Sequence, residues 1–147
     1  MGDELGMTND YGYLGEPLHA GDNRWMHRPR MDWRAAERRF DEDTVEGRIF
    51  QGIRALVRAR ARTPHLHASY TTDVLDAGHP HLLAYARPHP LGTMVAVLNL
   101  TEHAQTLDAS LLEEHGLRQP YDQIEQTFVD VGGGTLTLTP YQRYWLI

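Results

Sequence analysis

Residues 82–100, "LLAYARPHPLGTMVAVLNL", decide the fold of the C-terminal part of the chain. The runs 82–87 and 94–100 are short, apolar and of the composition that favours strands. The link between them is rich in proline and glycine, which form turns. Two such runs joined by a short turn-forming link predict an antiparallel β-hairpin.

More strand patterns lie on both sides of this hairpin. "TLTLT" at 135–139 alternates cleanly after a run of three glycines, and "RYWLI" ends the chain at 143–147. Weaker strand candidates are "ASYTTDVL" at 68–75, "AQTLDA" at 104–109 and "QTFVDV" at 126–131. Many short strands separated by turn residues predict an antiparallel β-sandwich.

The N-terminal part has a different pattern. Residues 1–42 contain many glycines and show no sustained periodicity, which indicates a long loop with a short helical piece near "WRAAERR". Loops of this length inside a domain are usually functional. The change from helical to strand pattern at Pro64 predicts two regions, residues 1–64 and residues 65–147.

Residues 43–62 form the clearest helix pattern. Asp43 is a candidate N-cap, and Glu46 stands three residues later, where the acid of a capping box belongs. An apolar stripe at helical spacing predicts one buried face; its members are Val45, Ile49, Ile53, Leu56 and Val57. A second face, formed by Arg54, Arg58 and Arg62, is interpreted as solvated.

Composition excludes several classes of function. The formal net charge is −6, which argues against nucleic-acid binding because that normally needs a basic surface. No apolar run has the roughly 18 residues of a membrane span, so we expect no membrane partner. Cysteine is absent and no signal peptide is visible, which favours a cytoplasmic location.

The sequence gives only weak signals for a catalytic or metal-binding site in this chain. Asp3 and Glu4 are adjacent, and adjacent carboxylates at a strand end point to opposite faces, so they cannot form a retaining glycosidase pair. The histidine pairs at 65/67 and 79/81 flank prolines and are expected in turns, so no metal site is predicted. Tyr141, Tyr144 and Trp145 could stack on a sugar but are favoured as core and edge residues.

Residues 22–33, "DNRWMHRPRMDW", combine three arginines with two tryptophans. Arginine offers a planar fork of donors for hydroxyls and carboxylates, and tryptophan offers a flat apolar face. This chemistry suits the wall of a polar pocket, although a solvated loop is equally consistent with the residues alone.

Three segments, "GDELG" at 2–6, "TNDY" at 8–11 and "DNRWMHRPR" at 22–30, precede a helix and a β-rich end, "TLTLTPYQRYWLI". In this order they resemble the C-terminal part of amylosucrases, in glycoside hydrolase family 13 of the α-amylase superfamily. The resemblance extends over essentially the whole chain. It implies a mixed fold: the end of a (β/α)8 barrel, with a long loop after strand 8 and the eighth helix, followed by an all-β antiparallel C-terminal sandwich domain.

The same resemblance gives one residue a role in substrate binding. The loop after strand 8 lies on the barrel face that carries active sites. Arg24 matches the family arginine that pairs with an aspartate from an upstream loop and closes the glucosyl pocket. Trp25, His27, Arg28 and Arg30 also match and are interpreted as residues that order the loop.

The resemblance implies a retaining transglucosidase that uses sucrose to build α-1,4-glucan and needs no cofactor. Its partners would be sucrose, α-glucan and the rest of the catalytic barrel. The alternatives are a sucrose hydrolase of the same family and a non-catalytic β-domain or scaffold module. The catalytic carboxylates of the family match no residue of this chain, and Met1 falls inside a barrel strand, so we expect a fragment of a larger enzyme.

The isolated 147-residue chain is therefore predicted to be inactive. One pocket arginine cannot supply a nucleophile or a general acid, so incubation of the pure chain with sucrose should release no fructose above the level of a buffer control. Enzyme-dependent fructose release, measured with a coupled assay, would contradict this prediction.

Overall fold

The computed structural model describes residues 2–147 of the chain, so the expectation for Met1 lies outside the described residues. The chain divides into two compact units. The first ends at Arg58, and the second runs from Ala59 to Ile147. The predicted division after residue 64 stays a prediction, as does the assignment of the first region to a barrel.

The first unit is built from short helical turns joined by loops. Helix α1 covers Trp33–Glu37 and confirms the short helical piece expected near "WRAAERR". Four short 3₁₀ helices accompany it, at Asp3–Leu5, Gly12–Gly15, Asn23–His27 and Arg38–Phe40. Helix α2, Val45–Arg62, begins in this unit and confirms the long helix expected from the apolar stripe.

The start of α2 differs from the prediction. The side-chain oxygen of Thr44, and not of Asp43, accepts a hydrogen bond from the Gly47 N–H at 3.0 Å. The helix begins two residues later than its pattern suggested, so the capping position falls on threonine. Glu46 binds the guanidinium of Arg38 instead of closing a capping box. A Cβ at Gly47 would collide with the Asp41 carbonyl, so the tight approach of this loop requires glycine there.

The apolar face of α2 also differs in part from its expected environment. Val45, Ile53 and Val57, three members of the apolar stripe, are exposed. At the end of the helix, Arg62 donates hydrogen bonds to the backbone carbonyls of Gln123 at 2.8 Å and Ile124 at 3.1 Å. Arg54, Arg58 and Arg62 are all exposed, as expected for a solvated face, and Arg62 additionally binds a loop of the second unit.

The strands found in residues 2–147 all lie in the second unit. They are β1 Asp73–Leu75, β2 Leu82–Arg87, β3 Met94–Asn99, β4 Gln105–Asp108, β5 Tyr121–Asp122, β6 Thr127–Phe128, β7 Thr135–Leu138 and β8 Arg143–Leu146, with helix α3 at Ser110–Glu114. One six-stranded antiparallel sheet has the order β1-β2-β3-β8-β5-β6, and a second sheet pairs β4 with β7. The predicted hairpin is β2 and β3, paired from Leu82–Asn99 to Arg87–Met94.

The main core lies between the two sheets. Val95 and Val97 of β3 contribute one side of it, and Leu136 and Leu138 of β7 contribute the other. Leu112 of α3 closes the same cluster. Antiparallel sheets that share a buried layer in this way are stabilised by apolar burial. The prediction of an all-β antiparallel C-terminal domain is confirmed.

The opposite face of β3 is buried as well. Met94 and Ala96 pack there against Leu66, with Trp145 beside them. Leu66 belongs to the segment 63–72, which connects α2 to the first strand. A strand covered on both faces reads as a continuous apolar run, as residues 94–98 do.

Arg87 at the end of β2 holds this covering segment in place. Its guanidinium donates to the carbonyls of His65 at 2.6 Å, His67 at 2.7 Å and Tyr70 at 3.0 Å, and to the Thr72 hydroxyl at 2.6 Å. One side chain thus satisfies three backbone acceptors of a segment that has no sheet partner for most of its length. The side chain of His65, in the same segment, is buried, and this burial together with repulsion from His89 lowers its pKa.

Replacing Arg87 with alanine should destabilise the second unit. The three carbonyls lose their donor at the edge of the core, so we expect a loss of about 2 kcal/mol in the free energy of unfolding, measured by urea denaturation. Arg143→Ala is the matched control, because Arg143 lies in β8 of the same sheet and its side chain makes no hydrogen bond among residues 2–147. Equal losses in the two variants would show that the segment is not held by Arg87.

Candidate functional site

The candidate site lies in the loop that contains residues 22–30. Asp22 begins the 3₁₀ helix Asn23–His27, and its carboxylate accepts the backbone N–H of Arg24 at 3.0 Å. A short aspartate side chain that binds the backbone two residues later favours a turn over an extended conformation. The local sequence therefore fixes the backbone at the residue predicted to bind substrate.

The Arg24 side chain is bound by the same carboxylate. Its Nε donates to Oδ1 of Asp22 at 2.8 Å, and its Nη2 donates to Oδ2 at 2.7 Å. This paired geometry restricts the guanidinium to one plane, because both ends of the fork must stay aligned. The Nη1 edge of Arg24 makes no hydrogen bond within residues 2–147, and its side chain is 72% exposed. One edge of the fork is held, and the other is open to a ligand or to a second carboxylate.

The pair changes the charge properties of both residues. The hydrogen bond from the Arg24 side chain, with a further one from its backbone, lowers the pKa of Asp22 to about 2. The same contact raises the pKa of Arg24. Asp22 is therefore ionised throughout the physiological range, and the pair carries no net charge. A neutral pair with free donors suits a ligand that is polar and uncharged.

Trp25 is held by a stack rather than by burial in a core. Its ring lies 3.7 Å from the ring of His19, centroid to centroid, with 21° between the planes. Nδ1 of His19 is 2.7 Å from the Glu16 carboxylate. The Arg28 guanidinium lies over the Trp25 ring, 5.7 Å from the ring centroid. These contacts join residues 16–19 to residues 25–28.

His27 connects the loop to the segment after residue 5. Its Nδ1 lies 3.1 Å from the Asn9 side-chain oxygen, and the Met26 carbonyl accepts the Asp10 N–H at 2.9 Å. Arg30, the remaining residue of the matched motif, is exposed and makes no side-chain hydrogen bond within the described residues. The structure thus gives His27 a partner in the loop and gives Arg30 none.

A cavity opens beside Arg24. It has a volume of about 510 Å³ and is lined by Arg24, His27, Arg28 and Pro29. Small-molecule sites in proteins commonly have volumes of about 300–1,000 Å³. Three of the four lining side chains carry N–H donors, so this surface can bind hydroxyl or carboxylate oxygens.

Sequence reasoning missed Asp22 as the local partner of Arg24. The D-x-R spacing was a usable signal, since an aspartate two residues before an arginine can bind both its backbone and its side chain. His19 was missed as well, because nothing in its neighbourhood predicts that it stacks on Trp25. Both contacts are local in the chain, and both orient side chains of the motif.

Among the other residues considered for chemistry, Asp3 lines a cavity of about 240 Å³ together with His27 and Pro29. Asp3 and Glu4 are exposed in a 3₁₀ turn. Among residues 2–147, no three histidine, aspartate or glutamate side chains come together as metal ligands. In the same range, no helix combines the length and apolar character needed to cross a bilayer. Tyr141 is exposed, whereas Tyr144 and Trp145 are half-buried in β8.

The family model described as "Amylosucrase, C-terminal domain" matches residues 73–147, which form the strands described above. This match covers just over half of the chain. The chain belongs to the amylosucrase C-terminal domain family. It is thereby related to the enzymes of glycoside hydrolase family 13, in the α-amylase superfamily.

Several solved structures are similar in fold to this chain. A mutant of MUTB from crystals soaked with trehalulose is 20% identical, with 77% of this chain and 20% of that chain covered and a TM-score of 0.55. A variant of AmyP in complex with maltotriose is 17% identical, with coverages of 69% and 20% and a TM-score of 0.55. The trehalulose synthase MutB from Pseudomonas mesoacidophila MX-45 is 20% identical, with coverages of 77% and 20% and a TM-score of 0.50.

At these identities the structural likeness shows the fold alone. The chain spans about a fifth of the length of the solved chains that it matches. The match to the amylosucrase C-terminal domain family and the geometry around Arg24 are independent observations, because they concern different residues. The first concerns residues 73–147, and the second concerns the loop that precedes α2.

The Arg24–Asp22 contact can be tested by titration. In Arg24→Ala, the pKa of Asp22 should rise from about 2 toward the roughly 3.9 of a free aspartate, because the side-chain hydrogen bonds are lost. The carboxyl carbon signal of Asp22 in an NMR pH titration measures this value. Arg30→Ala is the control and should leave the value unchanged. An Asp22 pKa that stays near its starting value in Arg24→Ala would exclude the pair in solution.

Proposed function

We propose that this chain is the C-terminal part of an amylosucrase-like retaining transglucosidase that uses sucrose to build α-1,4-glucan. In this proposal residues 1–64 are the end of the catalytic barrel, with the long loop after strand 8 and the eighth helix. Residues 65–147 are the C-terminal β-domain. The observation that carries the proposal is the Arg24 fork, held by Asp22 in a loop whose residues 23–27 include no buried side chain.

The role proposed for Arg24 is to form one wall of the glucosyl pocket. Its Nε edge stays with Asp22, and its Nη1 edge is free to bind the aspartate expected from an upstream loop or a sugar hydroxyl. Holding one edge reduces the conformational freedom that Arg24 would lose when a ligand binds. The arginine can therefore serve both contacts without a change of rotamer.

The chemistry of the pocket wall fits a neutral sugar. Hydroxyl groups need donors and acceptors but no net charge, and the Arg24–Asp22 pair offers donors at no net charge. His27 and Arg28 add donors on the same cavity. The catalytic carboxylates would come from other parts of the enzyme, and this chain would bind and orient the glucosyl ring.

Helix α2 supports the barrel assignment. Val45 and Val57 are 55% and 60% exposed, although the stripe that contains them has the spacing of a buried helix face. Amphipathic helices draw most of their stability from packing of the apolar face. Neighbouring barrel elements are the partners that the proposal provides for this face.

The relatives are consistent with a carbohydrate substrate. AmyP was crystallised with maltotriose and MUTB with trehalulose, a glucan fragment and a disaccharide. A sucrose hydrolase is the alternative enzyme, because it would use the same glucosyl pocket and differ only in the acceptor. A non-catalytic scaffold module is the alternative from another class, and the self-contained core of residues 65–147 is the feature that favours it.

The decisive test uses the full-length parent enzyme with sucrose. In the parent enzyme the proposal buries Arg24 beside the aspartate of an upstream loop. Loss of the arginine would leave that carboxylate unpaired, so Arg24→Ala should lower kcat/KM for sucrose at least roughly thirtyfold. Arg24→Lys should rescue poorly, because an ammonium cannot bind two oxygens in one plane. Arg54→Ala is the control: Arg54 is exposed on α2 and contacts Gln51.

Two results would change the proposal. Unchanged sucrose kinetics in Arg24→Ala would assign the loop to scaffolding and favour the module. Product analysis separates the two enzymes, because a transglucosidase forms α-glucan from sucrose, whereas a hydrolase releases glucose and fructose in equal amounts.

A further inference from the structure

His65 is a buried histidine whose ring has no polar partner. It lies in the 3₁₀ turn Pro64–Leu66 of the covering segment and is 4% exposed. Neither of its ring nitrogens makes a hydrogen bond to any of residues 2–147. Buried polar side chains are normally hydrogen-bonded, so a ring in this state is uncommon. The site tolerates a neutral imidazole, because a charged ring without a partner costs far more to bury.

The His65 ring packs against a second histidine. The ring centroids of His65 and His89 are 4.6 Å apart, and the Tyr70 ring lies 4.4 Å from that of His89. His89 belongs to the link between β2 and β3, and its Nδ1 accepts the Leu91 N–H at 3.1 Å. This hydrogen bond holds the His89 ring beside His65. A proton on His65 therefore faces a ring that can become positive as well.

The titratable and charged groups around the covering segment offer His65 no negative charge. They come from the segment itself, from α2, from β2 and from the β2–β3 link; they are His67, Tyr70, Arg60, Tyr85, Arg87 and His89. Burial raises the pKa of Tyr85, so its phenol stays neutral at neutral and acidic pH. Three ion pairs occur in residues 2–147, and none of them includes His65 or His89.

The environment of His65 determines how the covering segment responds to pH. Burial, and then repulsion from His89, lowers the pKa of His65 below its ordinary 6.5, while the Gly92 backbone acts less strongly in the opposite direction. An open segment binds the proton more readily than the closed one, so the closed state loses stability as the pH falls below 6.5. The loss is complete below the lowered pKa, where both states carry the proton.

The two ends of the covering segment have anchors that do not involve His65. The Thr63 hydroxyl is buried and donates to the Ala59 carbonyl at 2.7 Å. Strand β1 follows the segment and pairs with β2. Between these ends, the segment is held by Arg87 and by the packing of Leu66. Residues 64–72 can therefore open as a local unit while the sheet stays folded.

We propose that His65 is a pH sensor in the cover of β3: protonation of its buried ring releases residues 64–72 and exposes the face of β3 that carries Met94 and Ala96. The closed state requires a neutral ring, because it supplies no partner for a charge. The open state exposes the ring to water, which solvates the charge. The device lies within the second unit and depends neither on Arg24 nor on the proposed function.

The test is hydrogen–deuterium exchange of the full 147-residue chain at about pH 7.5 and about pH 5. Peptides that cover residues 64–72 report on the opening, because the amides of Leu66, His67 and Tyr70 are hydrogen-bonded in the closed state. Rates are divided by those of an unstructured peptide at the same pH. Opening should increase at least roughly tenfold at the lower pH, since each pH unit between the two pKa values contributes up to a factor of about ten. Strand β7 should change less than about twofold.

Variants of the two stacked histidines separate the sensor from the packing. His65→Phe keeps a planar ring in an apolar site but cannot take up a proton, so its opening should be the same at both pH values. His65→Leu serves the same purpose if His65→Phe does not fold. His89→Gln should reduce the acid response without abolishing it, because repulsion is lost and burial remains. In the unaltered chain, the His65 ring signals in an NMR titration should have a midpoint below 6.5.

His67→Gln is the matched control. His67 lies in the same segment, is exposed, and accepts the Ser69 N–H, which a glutamine oxygen can also accept. Its acid response should equal that of the unaltered chain.

Four results would overturn the proposal. They are equal opening of residues 64–72 at both pH values in the unaltered chain, an acid response that persists in His65→Phe, an acid response that is lost in His67→Gln, and opening of β7 to the same extent as residues 64–72. The last result would show that acid unfolds the whole unit instead of releasing its cover.

Discussion

The burial of β3 on both faces is the constraint on which the second unit depends. Val95 and Val97 face the layer shared with the two-stranded sheet, while Met94 and Ala96 face the other way. A central strand with apolar side chains on both faces needs a covering layer on each face. The two-stranded sheet of β4 and β7 covers only one of these faces. The second cover is the segment 63–72, which is mostly irregular. The clamp from Arg87 follows from this need, because irregular backbone over a core must find donors for its carbonyls.

Two buried polar residues, Asn99 and Asp122, lie at the ends of strands β3 and β5. Asp122 is fully buried, and its carboxylate accepts the backbone N–H groups of Ile124, Glu125 and Trp145 at 3.0–3.1 Å. Asn99 donates to the carbonyls of His103 and Thr139 and accepts from Thr101. Each residue substitutes for sheet partners that the backbone loses at a turn. A two-residue strand such as β5 can therefore belong to a sheet whose longer strands have continuous pairing.

The sequence predicted the elements whose pattern is long enough to be distinct. Residues 82–87, 94–100 and 135–139 became strands, and 43–62 became a helix with its start shifted by two residues. The strand at Tyr121–Asp122 was not predicted, because two residues carry no periodicity and the strand is defined by backbone hydrogen bonds between Tyr121 and Ile147. Arg62 is exposed as predicted, but its hydrogen bonds to Gln123 and Ile124 were not predicted, because these partners lie more than sixty residues away in the chain. Contacts of that separation depend on topology, which a helical pattern does not contain.

The candidate site was predictable to a different degree. The motif located Arg24, but Asp22 as its partner emerged only from the structure, although the contact spans two residues. The resemblance implies that Arg24 pairs with a carboxylate from elsewhere in the enzyme. Asp22 occupies only the Nε and Nη2 positions of Arg24, so the guanidinium can bind Asp22 and that second carboxylate together. The exposure of Phe128 was not predicted either, because the weak strand pattern of residues 126–131 does not show that β6 lies at the edge of the sheet.

The loop around Arg24 is ordered by local polar contacts in place of a core. In residues 2–58, the buried apolar side chains are Leu5, Ala35 and Ala36, which are few for a segment of that length. Aspartate side chains bind the backbone two residues ahead in four turns, beginning at Asp10, Asp22, Asp32 and Asp41. Such turns fix short stretches but contribute little to global stability, because each is exposed and competes with water. A loop of this kind can hold the Arg24 side chain in a defined rotamer. The position of Arg24 relative to a sugar would also depend on what packs against α2, whose apolar stripe is partly exposed. The Arg24 side chain is therefore oriented by its own loop, and the proposal leaves its position in the pocket to the elements that would cover α2.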